Sequence, residues 1–159
     1  MLAWLTETTV GQLLQTFMIS MVPVAELRAG IPYGISLGLD APAATLAAIL
    51  GNLFPVPMII IYVRQIFGWL RKKSRRVDSW ISRLEQNAEQ KGEKVRRYGA
   101  LGLVLLVAIP LPGTGAWTGA LVAAVLGLRT REAILPIFCG VLIAAGIVLG
   151  LTLGVIHLF

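Results

Sequence analysis

Two long, nearly uncharged stretches decide what this chain can fold into. Residues 133–159 contain no Asp, Glu, Lys or Arg, and residues 41–70 contain only Arg64. A helix needs about 20 apolar residues to cross the hydrocarbon core of a bilayer, so each stretch can span it. Only 14% of the residues are charged, against roughly 25% in an average soluble domain. The sequence therefore predicts an all-α, polytopic integral membrane protein with a single membrane domain over residues 1–159.

Two further apolar blocks, residues 10–39 and 99–128, are interrupted near their middles. The first break, residues 21–30, contains a proline and two charged residues, and the second break, residues 110–115, reads Pro-Leu-Pro-Gly-Thr-Gly. Proline lacks an N–H donor and glycine favours conformations outside a helix, so a continuous helix through either break is disfavoured. We predict that each block is a re-entrant hairpin. The alternative is a kinked but complete span, because membrane helices tolerate proline.

The basic residues predict the orientation in the membrane. Residues 71–98 hold ten Lys/Arg against four Asp/Glu, an excess that equals the net charge of +6 on the whole chain. Because Lys and Arg collect on the cytoplasmic side, this segment is predicted to be a cytoplasmic linker rather than a nucleic-acid-binding patch. A hairpin at residues 99–128 also keeps Arg129 and Arg131 inside, whereas a complete span would place them outside. Both chain termini are then expected outside a prokaryotic plasma membrane.

The basic linker has the periodicity of an amphipathic helix. Its apolar residues fall at helical spacing on one face: Val77, Trp80, Ile81, Leu84 and Ala88. Such a helix suits the inner leaflet, with Trp80 in the interface and the arginines near anionic headgroups. The alternative is a connector helix that lies in solvent.

The two halves of the chain repeat at a spacing of 89 residues. The matched residues are mainly Gly and Pro: Pro23 with Pro112, Gly30 with Gly119, Gly38 with Gly127, and Gly51 with Gly140. Each half then consists of a re-entrant hairpin followed by one transmembrane helix. Because each half crosses the membrane an odd number of times, the two copies must be inverted relative to each other. Inverted repeats with interrupted helices near the midplane are typical of secondary transporters.

Glu26 and Arg28 are the first candidates for a functional site. An ionisable group at membrane depth is costly, and it usually faces a cavity or a charged partner. Arg28 could bind a phosphate or carboxylate through two parallel hydrogen bonds. Burial disfavours the charged form of Glu26, so this residue could take and release a proton and couple transport to a proton gradient. The alternative is an ion pair that only locks the hairpin.

The second break supplies a different kind of candidate. Its site residues, with the tryptophan that follows, are Pro112, Gly113, Thr114, Gly115 and Trp117. Free N–H groups at the start of a half-helix attract anions. Glycine runs also occur where two backbones only pack closely, so both interpretations stay open.

A few other residues bear on function. Tyr33, like Trp117, could line a pocket or pack in the core, and Asn52 and Arg64 are candidate polar neighbours of the site. Arg64 could instead extend toward the cytoplasm. Cys139 and His157 lack partners for a nucleophile–base pair or a metal cluster. We therefore expect no enzyme activity, no metal and no cofactor.

Two motifs carry a family resemblance. Glu-Leu-Arg-Ala-Gly-Ile-Pro-Tyr-Gly at residues 26–34 and Pro-Leu-Pro-Gly-Thr-Gly-Ala-Trp-Thr-Gly at residues 110–119 are similar to the small multidrug export protein family, over nearly the whole chain. The architecture also resembles the DedA superfamily, which has two opposed re-entrant hairpins with acidic and arginine residues. The first resemblance implies drug efflux, and the second implies proton-coupled movement of polyprenyl phosphate or other lipids. Only Glu26 and Arg28 carry over from DedA, because Pro-Gly-Thr-Gly replaces its longer arginine-and-proline motif.

The leading functional prediction is a secondary transporter or flippase for an amphipathic anion such as a polyprenyl phosphate lipid. One alternative is an exporter of cationic drugs in which Glu26 supplies the counter-charge, and another is a non-transporting membrane scaffold. Two spans and two hairpins can barely enclose a path, so we expect a homodimer or larger homo-oligomer. Membrane lipids are the other expected partners.

Overall fold

A computed structural model describes residues 8–72, 75–111 and 113–158, which form eight helices and no strand. The helices are α1 (Thr9–Met21), α2 (Glu26–Ser36), α3 (Ala41–Leu53), α4 (Val56–Arg71), α5 (Arg75–Tyr98), α6 (Ala100–Ala108), α7 (Ala116–Val125) and α8 (Thr130–Leu158). The all-α prediction is confirmed. Two helical stretches are long and apolar enough to cross a membrane, Ala41–Arg71 and Thr130–Val155. The first of them comprises α3 and α4.

Helices α1 and α2 pack closely because small residues face each other. Gly30 and Gly34 lie one turn apart on α2, opposite Ser20 and Thr16 on α1. A Cβ atom on Gly30 would lie 1.9 Å from Ser20 Oγ. The hydroxyls of Ser20 and Thr16 each donate 2.8 Å hydrogen bonds to carbonyls of their own helix, so their burial is compensated. This is the small-residue packing that brings membrane helices together.

Glycines that are 89 residues apart make matching contacts in the two halves. A Cβ atom on Gly51 of α3 would lie 2.2 Å from the carbonyl oxygen of Phe17 on α1. A Cβ atom on Gly140 of α8 would lie 2.9 Å from the carbonyl oxygen of Val104 on α6. In one half α3 therefore lies against the backbone of α1, and in the other α8 lies against the backbone of α6.

Helices α2 and α7 end in the same way. Gly38 and Gly127 have positive φ angles of 97° and 69°, which glycine adopts at little cost. The next residues, Leu39 and Leu128, donate backbone hydrogen bonds of 3.1 and 2.9 Å to the carbonyl five residues earlier. These are the bonds of a Schellman motif, which satisfies the last carbonyls of a helix. Residues that are 89 positions apart therefore also make matching main-chain hydrogen bonds.

The linker helix α5 packs on the protein through part of its apolar face. It contacts α4, α6 and α7. Ile81, Ala88 and Val95, which recur every seventh residue, are 0%, 2% and 5% exposed. Trp80 is 59% exposed. The apolar face that the sequence directs to the inner leaflet is therefore divided, because Ile81 and Ala88 are covered by protein and Trp80 is not.

The two halves of the chain pack against each other through α2 and α7. Helix α2 packs against α8 of the other half, and α7 packs against α4. Because α2 and α7 both start at a break in the chain, this crossed packing brings the two breaks together.

Candidate functional site

The carboxylate of Glu26 occupies the start of α7. Glu26 is 3% exposed, and its Oε1 accepts a 3.4 Å hydrogen bond from the backbone N–H of Trp117. The residue that precedes α7 is Gly115, which has no side chain to cap the helix. A Cβ atom on Gly115 would lie 2.0 Å from Glu26 Oε2. Glu26 thus takes the place of a capping residue, where the helix dipole favours a negative charge.

The guanidinium of Arg28 donates hydrogen bonds to the second break. Its Nη1 donates to the carbonyl of Leu111, and its Nη2 donates to the carbonyl and hydroxyl oxygens of Thr114 at 2.8 and 3.0 Å. Arg28 Nη2 also lies 4.0 Å from Glu26 Oε2. The two charged residues therefore form an ion pair, and both also bind the opposite break. Arg28 is bonded mainly to neutral carbonyl oxygens.

The hydroxyl of Thr114 stabilises the turn of the second break. Its Oγ1 lies 2.7 Å from the carbonyl oxygens of both Ile109 and Leu111, and it accepts a 3.2 Å bond from the N–H of Leu111. The N–H of Thr114 donates to the carbonyl of Leu111 at 3.1 Å. These local bonds replace helical ones and let the chain turn between α6 and α7.

A cation from the linker also reaches the second break. Lys91 Nζ on α5 donates to the carbonyl of Gly113, which also accepts a 3.1 Å bond from the hydroxyl of Thr118. In the sequence, Lys91 is distinguished only as one of the ten basic residues of the linker. Its one sequence signal is helical spacing, because it lies three residues after Ala88 and seven before Tyr98 on α5. That spacing does not reveal which loop it contacts.

The contacts between the two breaks are reciprocal. Arg28 and Trp117 are 89 residues apart, and each sends a side-chain N–H to a main-chain carbonyl of the opposite half. Arg28 Nη1 donates to Leu111, and Trp117 Nε1 donates to Met21 at 3.0 Å. Glu26 and Gly115, also 89 residues apart, lie against each other. Their φ angles are both positive, at 48° and 127°.

Two cavities border the second break. A groove of about 740 Å³ runs between α2 and α8 and ends at Arg28 and Pro110. Within the described part of the chain, Arg28 is the one charged residue that lines this groove, and the rest are mostly apolar, including Ile35, Val148, Leu151 and Val155. A second cavity of about 350 Å³ lies along α6 and ends at Leu111 and Thr114. Both volumes fall in the range of small-molecule sites. We call them the α2–α8 groove and the α6 cavity.

Residues 26–147 match the family model described as "Putative small multi-drug export protein". The chain belongs to this family. The match contains Glu26, Arg28 and the whole second break. No curated protein and no solved structure matches the chain. Together with the two long apolar stretches, membership of this family places the chain among membrane proteins.

The remaining predicted site residues of this family member lie in different places. Tyr33 donates a 2.8 Å bond to Gln15 on α1 rather than to the junction. Asn52 is 1% exposed, and its Oδ1 has no hydrogen-bond partner among the described residues. Arg64 lies beside Gly127 at the end of α7, where the helix dipole favours a cation. Pro112 lies outside the described residues.

The structure therefore assembles part of the predicted site. It brings Gly113, Thr114, Gly115 and Trp117 into one hydrogen-bonded junction with the Glu26–Arg28 pair. Within the described part of the chain, no three His, Cys, Asp or Glu side chains are grouped to hold a metal. Chemically, the junction offers one carboxylate, one guanidinium and a turn of main-chain carbonyls beside an aliphatic groove.

Proposed function

We propose that this small multi-drug export family member is a secondary transporter that moves amphipathic anions, such as polyprenyl phosphates, without changing them chemically. One observation carries the proposal: among the described residues that line the α2–α8 groove, Arg28 is the one with a charged side chain. Glu26, by contrast, is 3% exposed behind the start of α7. An aliphatic chain would lie in the groove and a phosphate would lie at its charged end.

The proposed topology is an inverted repeat of a re-entrant hairpin and a transmembrane helix. In it, α1–α2 enters from outside and α6–α7 from the cytoplasm, where the basic linker α5 lies. The matching glycine contacts and Schellman motifs support a repeat, and the positive-inside rule supports the orientation. The α2–α8 groove then lies in the outer half of the membrane and the α6 cavity in the inner half. A homodimer or larger homo-oligomer would enclose the path more completely.

The hydrogen bonds of Arg28 favour an anion as the cargo. In the structure, Arg28 donates to the carbonyls of Leu111 and Thr114, which carry no net charge. A phosphate or carboxylate accepts stronger, bidentate bonds from a guanidinium than neutral carbonyls do. An anionic headgroup at the end of the groove can therefore compete for Arg28 and loosen its hold on the second break.

Glu26 is the proposed coupling residue. As a carboxylate it caps α7 and attracts Arg28, from which its Oε2 lies 4.0 Å away. Protonation would remove the charge that the helix dipole and Arg28 favour. Arg28 would then be held less firmly by its own hairpin and would be freer to bind an anion. Proton uptake and cargo binding would thus act on the same junction.

A second candidate function is the export of cationic drugs, which the description of the family favours. A cation would need the carboxylate of Glu26 as its partner. That requires Glu26 to leave the N–H of Trp117 and Arg28 to turn away from the groove. Arg28 should therefore assist an anionic cargo and oppose a cationic one.

Arg28 variants separate the two functions. In liposomes with labelled polyprenyl phosphate on one side, Arg28→Gln should abolish protein-dependent movement. Arg28→Lys should retain only a small part of it, because the charge is kept but the planar fork is lost. Arg83→Gln, an exposed arginine on α5, is the matched control and should behave as wild type. Ethidium efflux that depends on the protein and survives Arg28→Gln, without lipid movement, would replace this proposal with the cationic one.

A further inference from the structure

The α6 cavity has the composition of a binding site for an amphipathic anion. Leu105, Leu106 and Ile109 provide aliphatic walls, and the hydroxyl-bearing Thr114 lies at the inner end. At the opposite end Tyr98 is 54% exposed, and the guanidinium carbon of Arg97 lies 5.5 Å from the centre of its ring. The cavity is therefore apolar along its length, with a positively charged mouth.

Lys91 places a second cation near the inner end of the same cavity. It bonds to the carbonyl of Gly113, which adjoins the cavity-lining Thr114. Lys91 and Tyr98 are seven residues apart on α5, so they lie about two turns apart on one face. The same helix face thus carries a residue at the mouth of the cavity and a cation at its end.

We infer that the α6 cavity and Lys91 form a loading site on the cytoplasmic side for the anion that the α2–α8 groove releases. This inference rests on the proposed function. The aliphatic chain of the cargo would occupy the cavity beside Leu105, and its headgroup would lie between Lys91 and Thr114. Lys91 in this structure bonds to a neutral carbonyl, as Arg28 does, so an anion can compete for it in the same way.

The second break lies between the two sites, and residues of this break line both of them. Lys91 holds the carbonyl of Gly113, and Arg28 holds those of Leu111 and Thr114. Thr114 lines the α6 cavity, and Pro110 and Arg28 line the α2–α8 groove. A headgroup that leaves Lys91 would meet Arg28, because the carbonyls that the two cations bind belong to the same short turn. The two cations would thus receive the same anion in succession.

Photolabelling of the full-length protein tests the loading site directly. The probe is farnesyl phosphate with a diazirine in its chain, added to protein in phosphatidylcholine nanodiscs, and labelled peptides are mapped by mass spectrometry. Wild type should be labelled within residues 98–109, and diazirine-bearing farnesol should label this segment far less. Lys91→Gln should reduce the labelling about tenfold, as expected when one hydrogen bond to a charged group is lost. Lys91→Arg should restore most of it.

A second pair of variants keeps the test independent of Lys91. Leu105→Trp fills the cavity and should prevent labelling, whereas Leu101→Trp, one turn earlier on α6, does not line the cavity and should leave it unchanged. Labelling that is unaffected by both Lys91→Gln and Leu105→Trp would overturn the loading site.

Transport measured on the same proteins distinguishes this inference from the proposed function. If wild type moves no lipid phosphate but shows labelling that depends on Lys91, the binding site stands and the transport proposal fails. If wild type transports lipid phosphate and Lys91→Gln both transports and labels like wild type, the loading site alone fails.

Discussion

The two breaks in the chain both have a positive φ angle at a matched position, Glu26 or Gly115, but they carry different side chains. At matched positions, the first break has Glu26 and Arg28, whereas the second half has Gly115 and Trp117. The charged side chains of one half bind the backbone of the other, and a glycine leaves room for the carboxylate. Two identical charged copies would bring two buried carboxylates together, which is strongly unfavourable. In the proposed repeat, the two halves would keep matching geometry at this junction while only the first half supplies the charged pair.

The largest effect is expected where the two halves approach most closely. Gly115→Ala would place a methyl group 2.0 Å from Glu26 Oε2, at a φ of 127° that alanine rarely adopts. The buried carboxylate would have to leave the start of α7. We expect a loss on the order of 3 kcal/mol in unfolding free energy, measured by denaturant titration in detergent.

Gly146→Ala is the matched control for this substitution. A Cβ atom at Gly146 meets nothing within 4 Å, so this variant should be at least as stable as wild type, because alanine is the better helix former. If Gly115→Ala and Gly146→Ala unfold at the same denaturant concentration, the close approach of the two breaks is wrong.

Two substitutions of Glu26 separate its role as the cap of α7 from its proposed role in proton coupling. Glu26→Ala removes the cap of α7 and should cost about 1–2 kcal/mol of stability, in line with the loss of other helix caps. Glu26→Gln keeps an acceptor for the N–H of Trp117, so it should retain most of the stability while it loses proton-coupled lipid transport. Thermal unfolding and transport by the same reconstituted proteins measure both quantities. Full transport by Glu26→Gln would exclude Glu26 as the coupling residue.

Trp117 should contribute to stability but not to cargo recognition. Trp117→Phe loses one hydrogen bond to the carbonyl of Met21, which should cost about 1 kcal/mol. Trp80→Phe, at an exposed position on α5, serves as the control for the change of ring. Lipid-phosphate movement should continue in Trp117→Phe and stop in Arg28→Gln. Equal loss of transport in both would mean that the two matched positions act alike.

The smallest losses of unfolding free energy are expected at the two matched helix ends, and they should be equal in the two halves. Gly38→Ala and Gly127→Ala each force a side chain into the left-handed conformation at the end of a helix, at roughly 1 kcal/mol. The unfolding free energies of the two variants should differ from each other by less than either differs from that of wild type. A cost in only one half would show that the matching hydrogen bonds do not contribute equally.

Much of the fold follows from local sequence patterns. The charge-free stretches at residues 41–70 and 133–159 anticipate the two long apolar helical stretches, because hydrophobicity is a property of the segment itself. The spacing of 89 residues anticipates that Gly38 and Gly127 occupy equivalent positions, where the structure shows matching helix ends. The re-entrant entry of the hairpins and their inversion remain predictions.

The junction itself follows from long-range packing, which local patterns do not contain. The sequence indicates that Glu26 and Arg28 are a costly charged pair, but their partners lie more than 80 residues away along the chain. Nothing in the sequence shows that Glu26 caps α7 or that Arg28 donates to main-chain carbonyls. Lys91 was missed because its neighbours on α5 give it the pattern of an ordinary surface lysine. Its contact depends on how α5 packs across α6 and α7.

We propose that the two halves are inverted copies whose breaks meet inside the membrane. Asp40 and Arg129 are matched positions at the starts of α3 and α8, and both are exposed. In a Cys139→Ala background, single cysteines at these positions can be reacted with an impermeant maleimide, in right-side-out and inside-out vesicles. The inverted repeat predicts that Asp40→Cys reacts only from outside and Arg129→Cys only from the cytoplasmic side. Reaction of both from the same side would contradict it.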